Sequence, residues 1–116
     1  MDIIESRAGQ TSVLALAGAL DASSSPALSV QAIGLCNSGN RAILIDLAEV
    51  PYLTSAAFRS FIAIRKRAEP AGVAMAICGL NDLLKDLFEA SGLMGVFRIY
   101  PDRTSALAAI EPQTAP

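Results

Sequence analysis

The chain has 116 residues, of which 53% are hydrophobic and 17% charged, so it can bury a core and form one packed domain, unlike a disordered chain. Nine basic and eleven acidic residues leave a formal net charge of −2, which provides no basic field to attract nucleic acid directly. Histidine is absent, which excludes Ser-His-Asp and Cys-His catalytic groups and the commonest nitrogen ligand of metals.

The first part of the chain predicts a β-hairpin followed by a helix and a buried strand. Two short extended runs, 2–7 and 11–17, are separated by a turn that contains glycine. The segment from Ser23 to Pro26 combines hydroxyl N-caps with an early proline, which predicts the start of a helix. Residues 41–47 are almost continuously apolar, as in a strand covered on both faces. The buried stripe of the helix is expected to be Leu28, Ala32, Leu35 and Cys36.

The alternation of strands and helices continues to the end of the chain. Thr54 or Ser55 can cap a second helix, and residues 73–78 form the next strand. A third helix ends at Gly92, after which a strand over 96–100 and a helix to about residue 110 follow. The inward side chains of the second helix are predicted to be Ala57, Phe58, Phe61, Ile62 and Ile64, and those of the third Leu83, Leu84, Leu87 and Phe88.

This order, β-β-α-β-α-β-α-β-α, predicts an α/β fold. The sheet is expected to be mixed but mainly parallel, with four to five strands and about four helices. Residues 1–111 are expected to form a single domain, and residues 112–116 a frayed C-terminal tail.

The N-terminal segment and the cysteines indicate a cytoplasmic protein. The first seven residues, MDIIESR, lack the basic and apolar regions of a signal peptide. Every apolar run is interrupted well before the roughly 18 residues that a membrane-spanning helix needs, so no membrane insertion is expected. Cys36 and Cys78 lie among apolar residues and are expected to be reduced core residues.

Ser55 is the strongest candidate for a functional residue. A hydroxyl in the first turn of a helix faces unsatisfied backbone N–H groups and the positive end of the dipole, so a phosphate there would be stabilised. Serine is also common at such positions as a plain N-cap, and position alone favours that role. No phosphate-binding glycine motif occurs in the chain, which argues against a nucleotide site.

Three acidic residues are candidates for a docking edge of the sheet. Asp21 follows the second strand, Asp46 lies within the third, and Asp82 follows the fourth. In a parallel sheet the strand-to-helix loops meet at one edge, where ligands and partners usually bind. Asp21 and Asp82 could equally be turn or cap residues.

The segments GALD (18–21), AILIDLAEVPYLTSAAFRSF (42–61) and EASGL (89–93) resemble the STAS-domain anti-sigma factor antagonists. The resemblance spans nearly the whole chain and implies the STAS fold. The family pattern has a G-x-L-D turn, an apolar strand with a central Asp, a serine motif and a later S-G-L triplet. The matching residues are Gly18, Leu20, Asp21, Asp46, Ser55, Ala56, Arg59, Ser91, Gly92 and Leu93.

The resemblance implies a phosphorylation switch rather than an enzyme. In this family the motif serine is phosphorylated by a serine kinase of the histidine-kinase-like ATPase type, which is also an anti-sigma factor. The unphosphorylated antagonist binds that kinase and releases the sigma factor, and a PP2C-type phosphatase is a further expected partner. By position the serine is Ser55, with Thr54 as an alternative. The implied partner surface consists of Asp21, Thr54, Ser55, Ala56 and Arg59, and the domain is expected to be monomeric alone, without a cofactor or metal.

The chain departs from the family pattern at three positions. Thr54 stands where many antagonists have Asp, Ala57 where Gly is usual, and Phe58 where Leu is usual. These departures leave open a second function, as a non-phosphorylated STAS subunit of an ABC-type lipid transporter. A third hypothesis is a small enzyme or ligand carrier that uses the apolar interior near Phe58, Met75 and Phe88.

Overall fold

A computed structural model describes residues 1–110. The nine elements occur in the predicted order, and the tail predicted for 112–116 lies outside the described residues. The elements are β1 (Asp2–Ala8), β2 (Thr11–Ala17), α1 (Ser25–Leu35), β3 (Ala42–Glu49), α2 (Ser55–Ala68), β4 (Ala74–Cys78), α3 (Asp82–Ala90), β5 (Arg98–Tyr100) and α4 (Arg103–Ile110).

The strands form one five-stranded sheet whose spatial order, β1-β2-β3-β4-β5, is the order of the chain. The hairpin strands β1 and β2 are antiparallel, and the pairs β2–β3, β3–β4 and β4–β5 are parallel. The prediction of a mixed, mainly parallel sheet is therefore confirmed. Because the parallel strands share one direction, the loops that lead into α1, α2 and α3 lie at the same edge of the sheet.

The helices cover the two faces of the sheet unequally. Side chains of α1, α2 and α3 join the larger core cluster on one face, whereas α4 packs on the other face over a smaller cluster. Both cysteines are buried and free, as predicted. Burial raises the pKa of the Cys78 thiol to about 12, so this thiol stays protonated and unreactive. None of the helices within residues 1–110 has the length and apolar character needed to cross a bilayer.

Four phenylalanines fix α2 against α3 and against the residue that precedes β5. Phe58 and Phe88 pack edge to face with ring centroids 5.0 Å apart, and Phe61 stacks on Phe88 at 5.9 Å. Phe97 completes the cluster with an edge contact to Phe61 at 6.2 Å. The side chains of Phe58 and Phe88 thus serve as core packing, and the orientation of α2, which carries the candidate serine, is set by these contacts.

The prediction that Leu83 points inward is wrong, because Leu83 is 50% exposed. The helix α3 begins one residue earlier, at Asp82, with Asn81 as its N-cap. Leu84 and Phe88, four residues apart, are fully buried and define the inward stripe. A neighbouring residue is rotated by about 100° around a helix, which turns Leu83 toward solvent.

Candidate functional site

The loop before α1 and the loop before α2 are joined by backbone hydrogen bonds. Leu20 and Leu53 form an isolated parallel bridge just beyond the ends of β2 and β3. The Thr54 N–H donates to the Leu20 carbonyl oxygen at 3.0 Å, and the Leu20 N–H donates to the Tyr52 carbonyl oxygen at 3.2 Å. This bridge places the turn that begins at Asp21 beside the start of α2.

Thr54 is the N-cap of α2 and Ser55 its first residue. Thr54 has extended backbone angles, φ −115° and ψ 178°, and its carbonyl oxygen accepts a hydrogen bond from Ala57 N–H at 2.9 Å. Both side chains are exposed, and the first turn contains no acidic residue. The Ser55 hydroxyl therefore stands in solvent at the positive end of a 14-residue helix, without a neighbouring carboxylate in that turn.

Asp21 organises its own turn. Its Oδ1 accepts hydrogen bonds from the Ser23 hydroxyl at 2.7 Å, the Ser23 N–H at 2.9 Å and the Ser24 N–H at 3.1 Å. The Ser23 hydroxyl, followed by the two backbone N–H groups, lowers the pKa of the Asp21 carboxyl below its usual value. Asp21 thus stabilises the turn before α1, which is one of the two roles expected from its position. Its ionised carboxylate lies at the same edge of the sheet as Ser55.

The prediction that three acidic residues meet at one edge of the sheet is wrong for Asp46. Asp82 lies in the exposed first turn of α3, and the amide of the adjacent Asn81 reaches the Val50 and Pro51 carbonyls at 3.4 Å, so this loop belongs to the same edge. Asp46 instead faces α4, where Oδ2 pairs with Arg103 Nη2 at 2.9 Å. Side chains alternate along a strand, and the even-numbered positions of β3 point to the α4 face.

A family model described as "Mlab, STAS domain" matches residues 3–100. The chain belongs to the STAS domain family. It is 23% identical over 99 residues to a Bordetella bronchiseptica protein named as an anti-sigma factor antagonist, BtrV, and the match covers 85% of each chain.

Solved structures confirm the predicted STAS fold. A Thermotoga maritima protein described as an anti-sigma factor antagonist superposes with a TM-score of 0.86 at 16% identity, over 93% of both chains. The anti-sigma factor antagonist SpoIIAA in its unphosphorylated form superposes with a TM-score of 0.79 at 12% identity, over 93% of this chain and 96% of that one. The phosphorylated form of SpoIIAA, a Bacillus cell fate determinant, superposes with a TM-score of 0.72 at 14% identity, over 95% of this chain and 100% of that one.

In this STAS domain the predicted switch residues come from two neighbouring segments. Asp21 lies in the loop before α1, and Thr54, Ser55, Ala56 and Arg59 belong to the cap and first turns of α2. The Leu20–Leu53 bridge connects these segments, so the five residues share one region of the surface. Asp82 lies at the same edge on the far side of the β3–α2 loop.

A polar seam between α1 and α2 borders this surface and was not predicted from the sequence. It lies in a groove of about 330 Å³ that is also lined by Arg59. The Ser29 hydroxyl donates to the Ser60 hydroxyl at 2.8 Å, and Ser60 donates to the Ser25 carbonyl oxygen at 3.1 Å. The spacing of Ser25 and Ser29 on one helix face was a possible signal, but their contact with Ser60 depends on how the helices pack.

The serines of the seam are expected to differ in their effect on stability. Ser25 is 2% exposed, and its hydroxyl has no hydrogen-bond partner among residues 1–110. Because an unsatisfied buried hydroxyl costs free energy, Ser25→Ala should leave the free energy of unfolding unchanged or raise it by up to ~1 kcal/mol. Ser60→Ala breaks two hydrogen bonds and should lower it by about 1–2 kcal/mol. Urea unfolding of both variants measures the difference, and a larger loss in Ser25→Ala would contradict this account.

Proposed function

We propose that this STAS domain is an anti-sigma factor antagonist of a bacterial partner-switching system. Unmodified, it binds an anti-sigma factor that is also a serine kinase of the histidine-kinase-like ATPase type, and phosphorylation of Ser55 releases it. The observation that carries the proposal is the exposed Ser55 hydroxyl in the first turn of α2, beside the turn of Asp21. The names of BtrV and SpoIIAA, and the two phosphorylation forms of SpoIIAA, support it.

The position of Ser55 suits a switch that acts without refolding. A phosphate adds about −1.5 to −2 charges at neutral pH and three acceptor oxygens. The free N–H groups and dipole at the start of α2 would stabilise that charge within the domain. The same charge would repel an acidic partner surface, so the partner dissociates while the fold persists. A PP2C-type phosphatase would hydrolyse the phosphate and restore binding.

The remaining properties follow from this role. Residues 1–111 act as one domain that is monomeric alone and works by binding rather than by catalysis, without a cofactor, metal or direct contact with nucleic acid. It acts in the cytoplasm, not inserted in a membrane. Thr54 is the alternative phosphate acceptor, because it is exposed and adjacent to Ser55.

The test is native pull-down from the source cells, with intact mass measurement and phosphosite mapping of the recovered domain. We expect a serine kinase of the histidine-kinase-like type and one phosphoryl group on Ser55. A Ser55→Ala bait is the control, since it should retain the kinase and lack the phosphate. Recovery of a transporter ATPase with Ser55 and Thr54 unmodified would contradict the proposal and favour the transporter-subunit alternative.

A further inference from the structure

Arg59 is an exposed cation close to the proposed phosphorylation site. It lies four residues after Ser55, so the two side chains occupy neighbouring positions on the surface of α2. Arg65 and Arg103 are engaged in ion pairs with Glu69 and Asp46, whereas Arg59 takes part in none within residues 1–110. Its side chain lines the groove between α1 and α2 and is available to a new anion.

The same helix shows that this spacing allows an ion pair. Arg65 Nη2 lies 2.9 Å from Glu69 Oε1, again four residues apart. In the pair of Ser55 and Arg59 the anion would be on the N-terminal side, which is the more favourable order in a helix. Helical side chains lean toward the N-terminus, so the Arg59 guanidinium can reach back toward the first turn. That turn has no acidic residue to compete for the guanidinium.

We propose that Arg59 binds the phosphate on Ser55 within the same chain and is thereby withdrawn from the partner surface. The inference rests on the proposed function and specifies how its switch works. In the unmodified domain the groove presents one cation, and its other lining residues are uncharged. After phosphorylation the phosphate and the guanidinium together carry a net charge of about −1. The partner thus loses an attractive contact and meets a repulsive one.

The experiment installs phosphoserine at position 55 by genetic-code expansion, so that no kinase is needed. The phosphorylated chain is compared with phosphorylated Arg59→Gln and with phosphorylated Arg67→Gln, which removes an exposed cation from the other end of α2. Phosphorus NMR during a pH titration gives the second pKa of the phosphate in each chain. Circular dichroism confirms that all three chains are folded.

The Arg59 guanidinium should stabilise the doubly ionised phosphate and so lower the second pKa of the phosphate. We expect the second phosphate pKa to be about 0.3 pH units lower with Arg59 than in the Arg59→Gln chain, and the Arg67→Gln chain to match the unsubstituted one. The Arg59 Nε–H resonance should also shift on phosphorylation. Equal phosphate pKa values with and without Arg59 would overturn this inference. That outcome would leave the proposed function intact, whereas absence of phosphate from Ser55 in the pull-down would contradict the proposed function itself.

Discussion

Ser55→Asp is expected to weaken binding of the kinase by about 10- to 100-fold, whereas Ser55→Ala should retain the affinity of the unmodified domain. The carboxylate introduces a charge at an exposed position of the proposed interface. Like charges brought together across an interface cost several kcal/mol, and ~1.4 kcal/mol corresponds to tenfold in affinity. Alanine removes the hydroxyl without adding charge. Isothermal titration with the kinase recovered by pull-down measures both affinities.

The matched control is Ser38→Asp. Ser38 is also an exposed serine, but it follows the C-terminal end of α1 and therefore lies away from the edge that carries Ser55. It receives the same chemical change and should bind the kinase with unaltered affinity. Equal affinities for Ser55→Asp and Ser55→Ala would show that the first turn of α2 does not contact the kinase.

Gly79→Ala should be among the most destabilising single-methyl additions in this domain. Gly79 has φ +80°, and a Cβ there would lie 2.9 Å from both the Ala48 nitrogen and Asp46 Oδ1. These two atoms form a hydrogen bond of 3.0 Å that shapes the end of β3. The positive φ and the overpacking together should cost about 3 kcal/mol, which lowers the melting temperature by roughly 12 °C.

A second glycine separates the cost of the positive φ from the cost of overpacking. Gly72 has a similar φ of +74°, but an added Cβ would meet nothing within 4 Å. Gly72→Ala should therefore cost only about 1 kcal/mol, for the backbone conformation alone. Thermal unfolding followed by circular dichroism compares the variants, and equal losses would show that the contact with Asp46 and Ala48 is unimportant.

The features that could be predicted from the sequence are those set by local patterns. Runs of apolar residues and the helix signals at Pro26 and Gly92 lie within single elements or directly beside them, so the order of strands and helices is predictable from the sequence. Leu83 and Leu84 are adjacent in α3, and which of the two faces the core depends on how the helix packs on the sheet, which the apolar spacing does not determine.

The features that could not be predicted depend on contacts between distant segments. Alternation along β3 determines which residues share a face with Asp46, but the sequence does not show that α4 covers that face or that Arg103, 57 residues away, is its partner. The seam of Ser25, Ser29 and Ser60 likewise exists only once α1 and α2 pack. The position of Ser55 in the first turn of α2 was predictable, since the N-cap signal is local.

The sheet order has a consequence for how the chain folds. Each strand pairs with the strand that precedes it in the sequence, so no strand must be inserted between two others that are already paired. A chain emerging from the ribosome can therefore extend the sheet strand by strand, with each helix docking once the next elements that it contacts have formed. The helix α4 is the last element in the described chain and packs on β3, β4 and β5, and we expect it to be the last element to become protected from hydrogen exchange.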